Sequence, residues 1–205
     1  MAGILCSVSP SRYPRHVIVY LTGGIGTGKS TVLRMLAELG ARTVSADEIV
    51  RDLYADPAVQ ARVGEALGMT PPLDRVAIAS VVFADAEARR RLEAIIHPLV
   101  TECVEALRRS EPADVPLVYE IPLPPRPQAG DVVIAITAPM EARLARLLDR
   151  GMSARDAEAR IASQPRDDAY GKDARYTIVN DGDVEALRGA VDRIWKELQH
   201  GASRV

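Results

Sequence analysis

The chain has 205 residues, 47% of them apolar, enough to bury a core as one domain with small insertions; this excludes a disordered or fibrous chain. Its 26 basic and 28 acidic residues leave a formal charge of −2. Bulk charge therefore does not hold a nucleic-acid surface, and any anion site must be local.

Residues 1–16 carry Pro10, Pro14 and three serines without periodicity and read as a loose leader. Ile4-Leu5-Cys6 is too short for a signal-peptide core, and no apolar segment reaches the length of a membrane span. Cys6 and Cys103 are too few and too distant for a disulfide framework or a zinc site, which fits a reducing cytoplasm. Cys103 reads as a small core residue.

The first strand is Val17-Ile18-Val19-Tyr20-Leu21, and a helix is expected over Thr31–Leu39. Between them, Gly23-Gly24-Ile25-Gly26-Thr27-Gly28-Lys29-Ser30 matches G-x-x-x-x-G-K-[ST], a nucleotide phosphate-binding loop in its proper strand-to-helix context. The backbone of Gly24, Gly26, Thr27, Gly28, Lys29, Ser30 and Thr31 is expected to line it. Glycines let successive N–H groups turn toward phosphate oxygens, and the helix adds the positive end of its dipole. Lys29 would reach the β- and γ-phosphates, and the Ser30 hydroxyl would hold Mg2+. Of the 26 basic residues only Lys29, Lys172 and Lys196 are lysines, so one of three stands where this loop demands one.

Further strands are expected at Arg42–Ser45, Val115–Tyr119, Val132–Thr137 and Tyr176–Val179. Helices are expected at Asp47–Tyr54, Ala58–Leu67, Arg75–Val82, Ala86–Arg109, Met140–Arg150, Ala154–Ser163 and Val184–Gln199. Alternating strands and helices predict a parallel sheet with crossover helices, a three-layer α/β fold of five strands in a single domain over 17–200. The helical excess over 55–110 reads as an insertion covering the substrate, and residues 201–205 as a tail. Pro98 should kink or break the longest helix near His97. Pro122, Pro124, Pro125 and Pro127 form the one proline cluster.

These features together resemble the dephospho-CoA kinase family. The matching stretches are L-T-G-G-I-G-T-G-K-S-T (21–31), A-D-E-I-V-R (46–51), L-D-R (73–75), I-I-H-P-L-V (95–100), E-I-P-L (120–123), L-A-R-L-L-D-R-G (144–151), R-I-A-S-Q (160–164) and V-N-D-G (179–182). The resemblance implies a P-loop fold with a five-stranded parallel sheet, a helical acceptor-binding insertion over 55–110 and a lid over 140–173. It implies ATP with Mg2+ as donor and dephospho-CoA as acceptor, phosphorylated on its ribose 3′-hydroxyl. A cytoplasmic monomer is expected, with no nucleic-acid or membrane partner. The chain departs from the family pattern in three places: Ser45 replaces the first acid of Asp-Ala-Asp, Pro124-Pro125-Arg126-Pro127 follows Leu123, and Ala174-Arg175 precedes the last strand where the family has Ala-Asp.

Individual residues admit two readings. Asp47, at the carboxyl end of the second strand where open parallel sheets bind ligands, could accept the acceptor's proton. It could equally belong to a capping box, Ser45-Ala46-Asp47-Glu48. Arg143, Arg146 and Arg150 point about 120° away from Leu144, Leu147 and Leu148 on a helix. A solvated face explains them. The resemblance instead places Arg146 and Arg150 at the start of the lid, neutralising the transferred phosphoryl group, and leaves Arg143 on the surface. His97 borders the acceptor site or is a hydrogen-bonded core histidine, with no metal role. Pro122 and Leu123 would line the acceptor site. Asn180 and Gly182 shape the adenine pocket or simply turn the chain.

Competing functions are another small-molecule or nucleoside monophosphate kinase, and an ATP-binding paralogue without turnover. A GTPase switch lacks N-K-x-D, and its only plausible D-x-x-G, Asp168–Gly171, does not follow a strand.

Overall fold

This computed structural model describes residues 17–110 and 115–201. The expected leader 1–16, Cys6 and residues 202–205 of the expected tail lie outside the described residues. Strands β1 (Ile18–Thr22), β2 (Arg42–Ser45), β3 (Leu117–Ile121), β4 (Val132–Thr137) and β5 (Tyr176–Val179) form one sheet in the order β2-β3-β1-β4-β5. The sheet is parallel throughout, with helices on both faces. β1 is central: Tyr20 aligns with Tyr119 of β3 and with Val133 of β4. β1, β3 and β4 read as continuous apolar runs because they are buried on both faces, as central strands of a parallel sheet must be.

The described helices are α1 (Lys29–Glu38), α2 (Ala46–Leu53), α3 (Pro57–Leu67), α4 (Arg75–Ala84), α5 (Ala86–Arg109), α6 (Met140–Asp149), α7 (Ala154–Ala162), α8 (Asp167–Gly171) and α9 (Val184–Gly201). They divide with the strands into two compact units. One ends at Thr43 and resumes at Arg108, and the other runs from Val44 to Leu107. In the first unit Val32, Met35 and Leu36 of α1 and Leu187, Val191, Ile194 and Trp195 of α9 pack on Val19, Leu21, Val118, Ile134 and Ile136. The intervening strand residues face the other way, where Tyr20 and Tyr119 meet edge to face at 5.9 Å. Burial, with Tyr20 and Glu120 adding, pushes the Tyr119 hydroxyl up to about 12. The second unit has its own core of Val59, Val63, Ile78 and Ile96, with Leu53, Tyr54, Leu73, Leu92 and Leu99 around it.

Three expectations are corrected. α5 runs unbroken through Pro98. Pro98 and Ala94, whose carbonyl loses its donor, are both exposed, so water can meet that carbonyl. β3 lies two residues beyond its expected position, because Pro116 cannot donate to a ladder and its carbonyl instead receives Arg42 N–H at 3.2 Å. Cys103 is half-buried rather than core. α8, at five residues, was not expected at all; it is shorter than the span over which helical periodicity shows.

The amino-terminal edge of the sheet is held by one carboxylate. Asp131 accepts from both terminal nitrogens of Arg108 at 2.8 and 2.9 Å, from Ile18 N–H at 3.0 Å and from Gln128 N–H at 2.9 Å. Its side chain is 1% exposed. Burial opposes ionisation, but the Arg108 and backbone hydrogen bonds outweigh it and hold the carboxyl below its ordinary range. Replacing Asp131 with Ala takes a buried carboxylate away from Arg108 and from Ile18 N–H, with an expected loss of about 3–5 kcal/mol in chemical denaturation. The sign of the shift fixes the pH dependence. The Asp131 contribution is complete above the unfolded carboxyl pKa of about 4 and fades as pH falls through the lower folded value. Asp131→Asn should therefore flatten the acid limb of the stability profile.

Candidate active site

The loop between β1 and α1 is built so that its donors stay available. α2, α3, α4 and α7 each begin at a Ser or Asp whose side chain takes a backbone N–H. α1 begins at Gly28, with φ of 100°, no side-chain cap and no acid in its first turn among the described residues. An uncapped amino terminus leaves N–H groups and the helix dipole to an anion. Thr31 N–H is already directed at Gly28 O, 3.0 Å away.

The four loop carbonyls from Gly24 to Thr27 are engaged. Gly24 O accepts from Thr27 Oγ1 at 2.8 Å and Lys29 Nζ at 3.2 Å. Ile25 O accepts from Arg143 Nε at 2.9 Å, Gly26 O from an Arg146 terminal nitrogen at 3.0 Å, and Thr27 O from Asn180 Nδ2 at 2.8 Å. The other Arg146 nitrogen binds Asn180 Oδ1 at 2.9 Å and Asn180 O at 3.1 Å. Gly28 is required twice over, by its left-handed backbone and because a Cβ there would run into Asn180 Nδ2. At Gly24 a Cβ would lie 2.5 Å from an Arg143 nitrogen, so that guanidinium would have to shift.

Lys29 reaches across to Glu120 at the carboxyl end of β3, 3.6 Å away, and both side chains are largely buried, at 11% and 10% exposure. Sequence reasoning passed over Glu120 as a functional group, although an acid at the end of the apolar run Leu117-Val118-Tyr119 was the available signal. The Ser30 hydroxyl and the Glu120 carboxylate are hard oxygen donors of the kind Mg2+ selects. Among the described residues no group of three His, Cys, Asp or Glu could hold a metal by itself.

The expected arginine face of α6 is not a solvent face. Arg143, expected on the surface, is 6% exposed, and Leu148 is 45% exposed. The reason is the partner: Arg143 packs against the phosphate loop, with further bonds to Asp167 at 3.3 Å and Gln164 at 3.4 Å. Gln164 in turn accepts Ile25 N–H at 2.7 Å. A cavity of about 470 Å3, lined by Met140, Arg143, Ile161, Pro165 and Asp167 among others, borders this pair. Arg146 is half-buried and Arg150 exposed at the end of α6. Asn180 is 6% exposed, and Gly182 turns the chain with φ of 123°.

On the other side of β1, Pro122 O accepts from Tyr170 Oη at 3.3 Å and Leu123 O from Thr22 Oγ1 at 2.8 Å. Burial raises the Tyr170 hydroxyl above its ordinary range, so it remains a donor. The Leu123 side chain is 48% exposed.

Asp47 and His97 belong to the second unit. Ser45 and Glu48 make the full capping box, with Glu48 N–H to Ser45 Oγ at 3.1 Å and Ser45 N–H to Glu48 Oε2 at 2.8 Å. Asp47 is exposed in the first turn of α2 and takes no part in those bonds. His97 is exposed on α5, which removes the core-histidine reading.

Among the described residues no helix is long and apolar enough to cross a membrane. The dephospho-CoA kinase family model matches residues 17–186. A dephospho-CoA kinase of Frankia casuarinae is 40% identical over 88% of this chain and 82% of its own length. One from Moorella thermoacetica is also 40% identical, over 89% of this chain and 92% of its own. The solved dephospho-CoA kinase of Campylobacter jejuni superposes with a TM-score of 0.67 at 26% identity, covering 90% of this chain and 98% of its own. With the phosphate loop, its bound carbonyls and the five-stranded parallel sheet in place, this chain belongs to the dephospho-CoA kinase family.

Proposed function

We infer that the protein transfers the γ-phosphoryl group of ATP to the ribose 3′-hydroxyl of dephospho-CoA, giving coenzyme A and ADP. The observation that carries this reading is the uncapped α1 terminus behind a loop whose carbonyls from Gly24 to Thr27 are engaged, in a chain of this family. In the transfer, the 3′-oxygen bonds to the γ-phosphorus, the bond to the β-phosphate oxygen breaks, and the 3′-hydroxyl proton passes to the Asp47 carboxylate. Such transfers have loose transition states, so catalysis is mostly positioning and charge stabilisation. The loop backbone from Gly24 to Thr31 holds the phosphates, and Lys29 leaves Glu120 to reach them. Mg2+, held by Ser30 and Glu120 together with the phosphates, would neutralise their charge. Arg146 contributes charge beside the loop and Arg150 from the lid, residues 140–173. Asn180 and Gly182 border the adenine, and His97, Pro122 and Leu123, with the helices of 55–110, receive the acceptor. The protein works as a cytoplasmic monomer on small molecules.

The acceptor is tested by incubating the protein with ATP, Mg2+ and dephospho-CoA and reading product mass and phosphate position. Coenzyme A is expected, with a raised KM for the acceptor, because the proline loop at 124–127 alters contacts remote from the chemistry and these chiefly set binding. No coenzyme A at millimolar acceptor, with brisk phosphorylation of adenosine, AMP or another hydroxyl compound, would assign the chain to another kinase activity. Absence of turnover on any acceptor would leave an ATP-binding paralogue.

Lys29→Ala should abolish turnover while the chain still unfolds cooperatively; near-native turnover would refute the phosphate-loop role. Asp47→Asn should lower kcat by about 100-fold or more with little change in the KM for ATP. Ser45→Ala should do the reverse, costing about 1 kcal/mol of stability through the lost cap and leaving kcat near native. If Asp47→Asn shifts only the melting temperature, Asp47 serves the helix dipole alone.

A further inference from the structure

The phosphate-loop pattern says nothing about the Ile25 backbone, yet side chains from elsewhere take both its N–H and its C=O, which belong to the two peptides that flank its Cα. Gln164 Oε1 accepts its N–H at 2.7 Å and Arg143 Nε donates to its carbonyl at 2.9 Å. Both partners also meet each other, at 3.4 Å. The contact spans 139 residues of chain and comes from the segment directly after α7, where Ser163 closes the helix. Nothing larger than a hydrogen fits at Gly24 without displacing the pair, since a Cβ there would lie 2.5 Å from Arg143 and 3.2 Å from Gln164 Oε1.

We propose that Gln164 is a positioning residue for phosphoryl transfer: its side-chain carbonyl fixes the plane of the Gly24–Ile25 peptide and so aims the following loop N–H groups at the phosphates. A peptide is planar, and this one is held at both ends: its N–H by Gln164 at 2.7 Å and its carbonyl, Gly24 O, by Thr27 Oγ1 at 2.8 Å, which together remove its freedom to rotate. The next three peptides are held in turn, their carbonyls being taken by Arg143, Arg146 and Asn180. Gln164 never touches the nucleotide in this arrangement; it acts through Ile25. Because Gln164 lies within the expected lid, residues 140–173, the loop holds its shape only while residues 164–167 are seated. Stability and positioning separate here. The pair borders an open cavity, so water can satisfy Ile25 N–H when the amide is lost, and water cannot hold the peptide plane.

The kinetic consequence rests on the kinase reading above, whereas nucleotide affinity and local exchange do not. The test compares Gln164→Leu, which removes the acceptor, Gln164→Asn, which withdraws it by one methylene, and Gln164→Glu, which keeps it. ADP binding is measured by calorimetry, hydrogen exchange over peptides spanning 22–29 by mass spectrometry, and ATP kinetics with dephospho-CoA. The Leu and Asn variants are expected to bind ADP at least about tenfold more weakly, the loss of one well-placed hydrogen bond. They should lose exchange protection in 22–29 alone and fall in kcat/KM for ATP with the KM for the acceptor unchanged. Glu should stand closer to the native protein than to Leu in exchange protection and kcat. Native ADP affinity in Leu and Asn would overturn the proposal, as would a Glu variant no better than Leu. Failure of both Leu and Asn to fold would also overturn it, since the amide would then serve the fold rather than the loop. Should the native protein make no coenzyme A, the kinase reading fails while the ADP and exchange comparisons still decide the role of Gln164.

Discussion

Four successive carbonyls of the phosphate loop, from Gly24 to Thr27, each have a hydrogen-bond donor, and only the first is supplied by the loop itself. A peptide that turns its oxygen toward a fixed partner turns its N–H the opposite way. Arg143, Arg146 and Asn180 thus set the direction in which the loop presents its donors, and two of them bring positive charge. Anion affinity at the loop is consequently a property of α6 and of the turn after β5 as much as of the glycines. The glycines are what allow those partners to come close enough: Gly24 and Gly28 leave the space that Arg143 and Asn180 occupy.

The sheet separates stability from chemistry by its two edges. At the amino-terminal edge, Asp131 and Arg108 are fully engaged and tie β1, β4 and the end of α5 together. At the carboxyl edge, Lys29 and Glu120 form a longer contact of 3.6 Å, the looser of the two pairs. A parallel sheet places the helix amino termini at the carboxyl edge, so a charge pair there can exchange partners with a ligand while the opposite edge carries the fold.

Most of the scaffold was legible in the sequence because it is written in short-range terms. β2, β4, β5 and α5 match their expected bounds, since β-branched runs and a long period-3.6 pattern need no knowledge of partners. The capping box at Ser45 was legible for the same reason, its two bonds spanning three residues. The site was legible only where a motif carries it. Arg143 was misread because helical angle separates arginines from leucines without saying what lies opposite each; its partner Ile25 is 118 residues away. Gln164 and Glu120 lie in stretches that resemble the family, R-I-A-S-Q and E-I-P-L, but their partners Ile25 and Lys29 are far away in sequence, and their roles exist only once β1, β3 and α7 are assembled. Pro98 was overread, because the cost of a helical proline depends on whether the orphaned carbonyl meets water, which periodicity does not reveal.

The proline loop after β3 is the largest departure from the family pattern, and its attachment limits what that departure does. The two residues ahead of the cluster are held through main-chain oxygens, Pro122 O by Tyr170 and Leu123 O by Thr22. Thr22 is fully buried and ends β1 beside the phosphate loop, and Tyr170 is 1% exposed. Main-chain anchors are indifferent to the side chains that follow, so the path out of β3 is set before Pro124 is reached. Proline then fixes φ at successive positions and keeps the segment extended. Substitution within 124–127 accordingly changes the surface offered to a ligand while leaving the entry point, and the Glu120 carboxylate two residues before Pro122, where the sheet puts them.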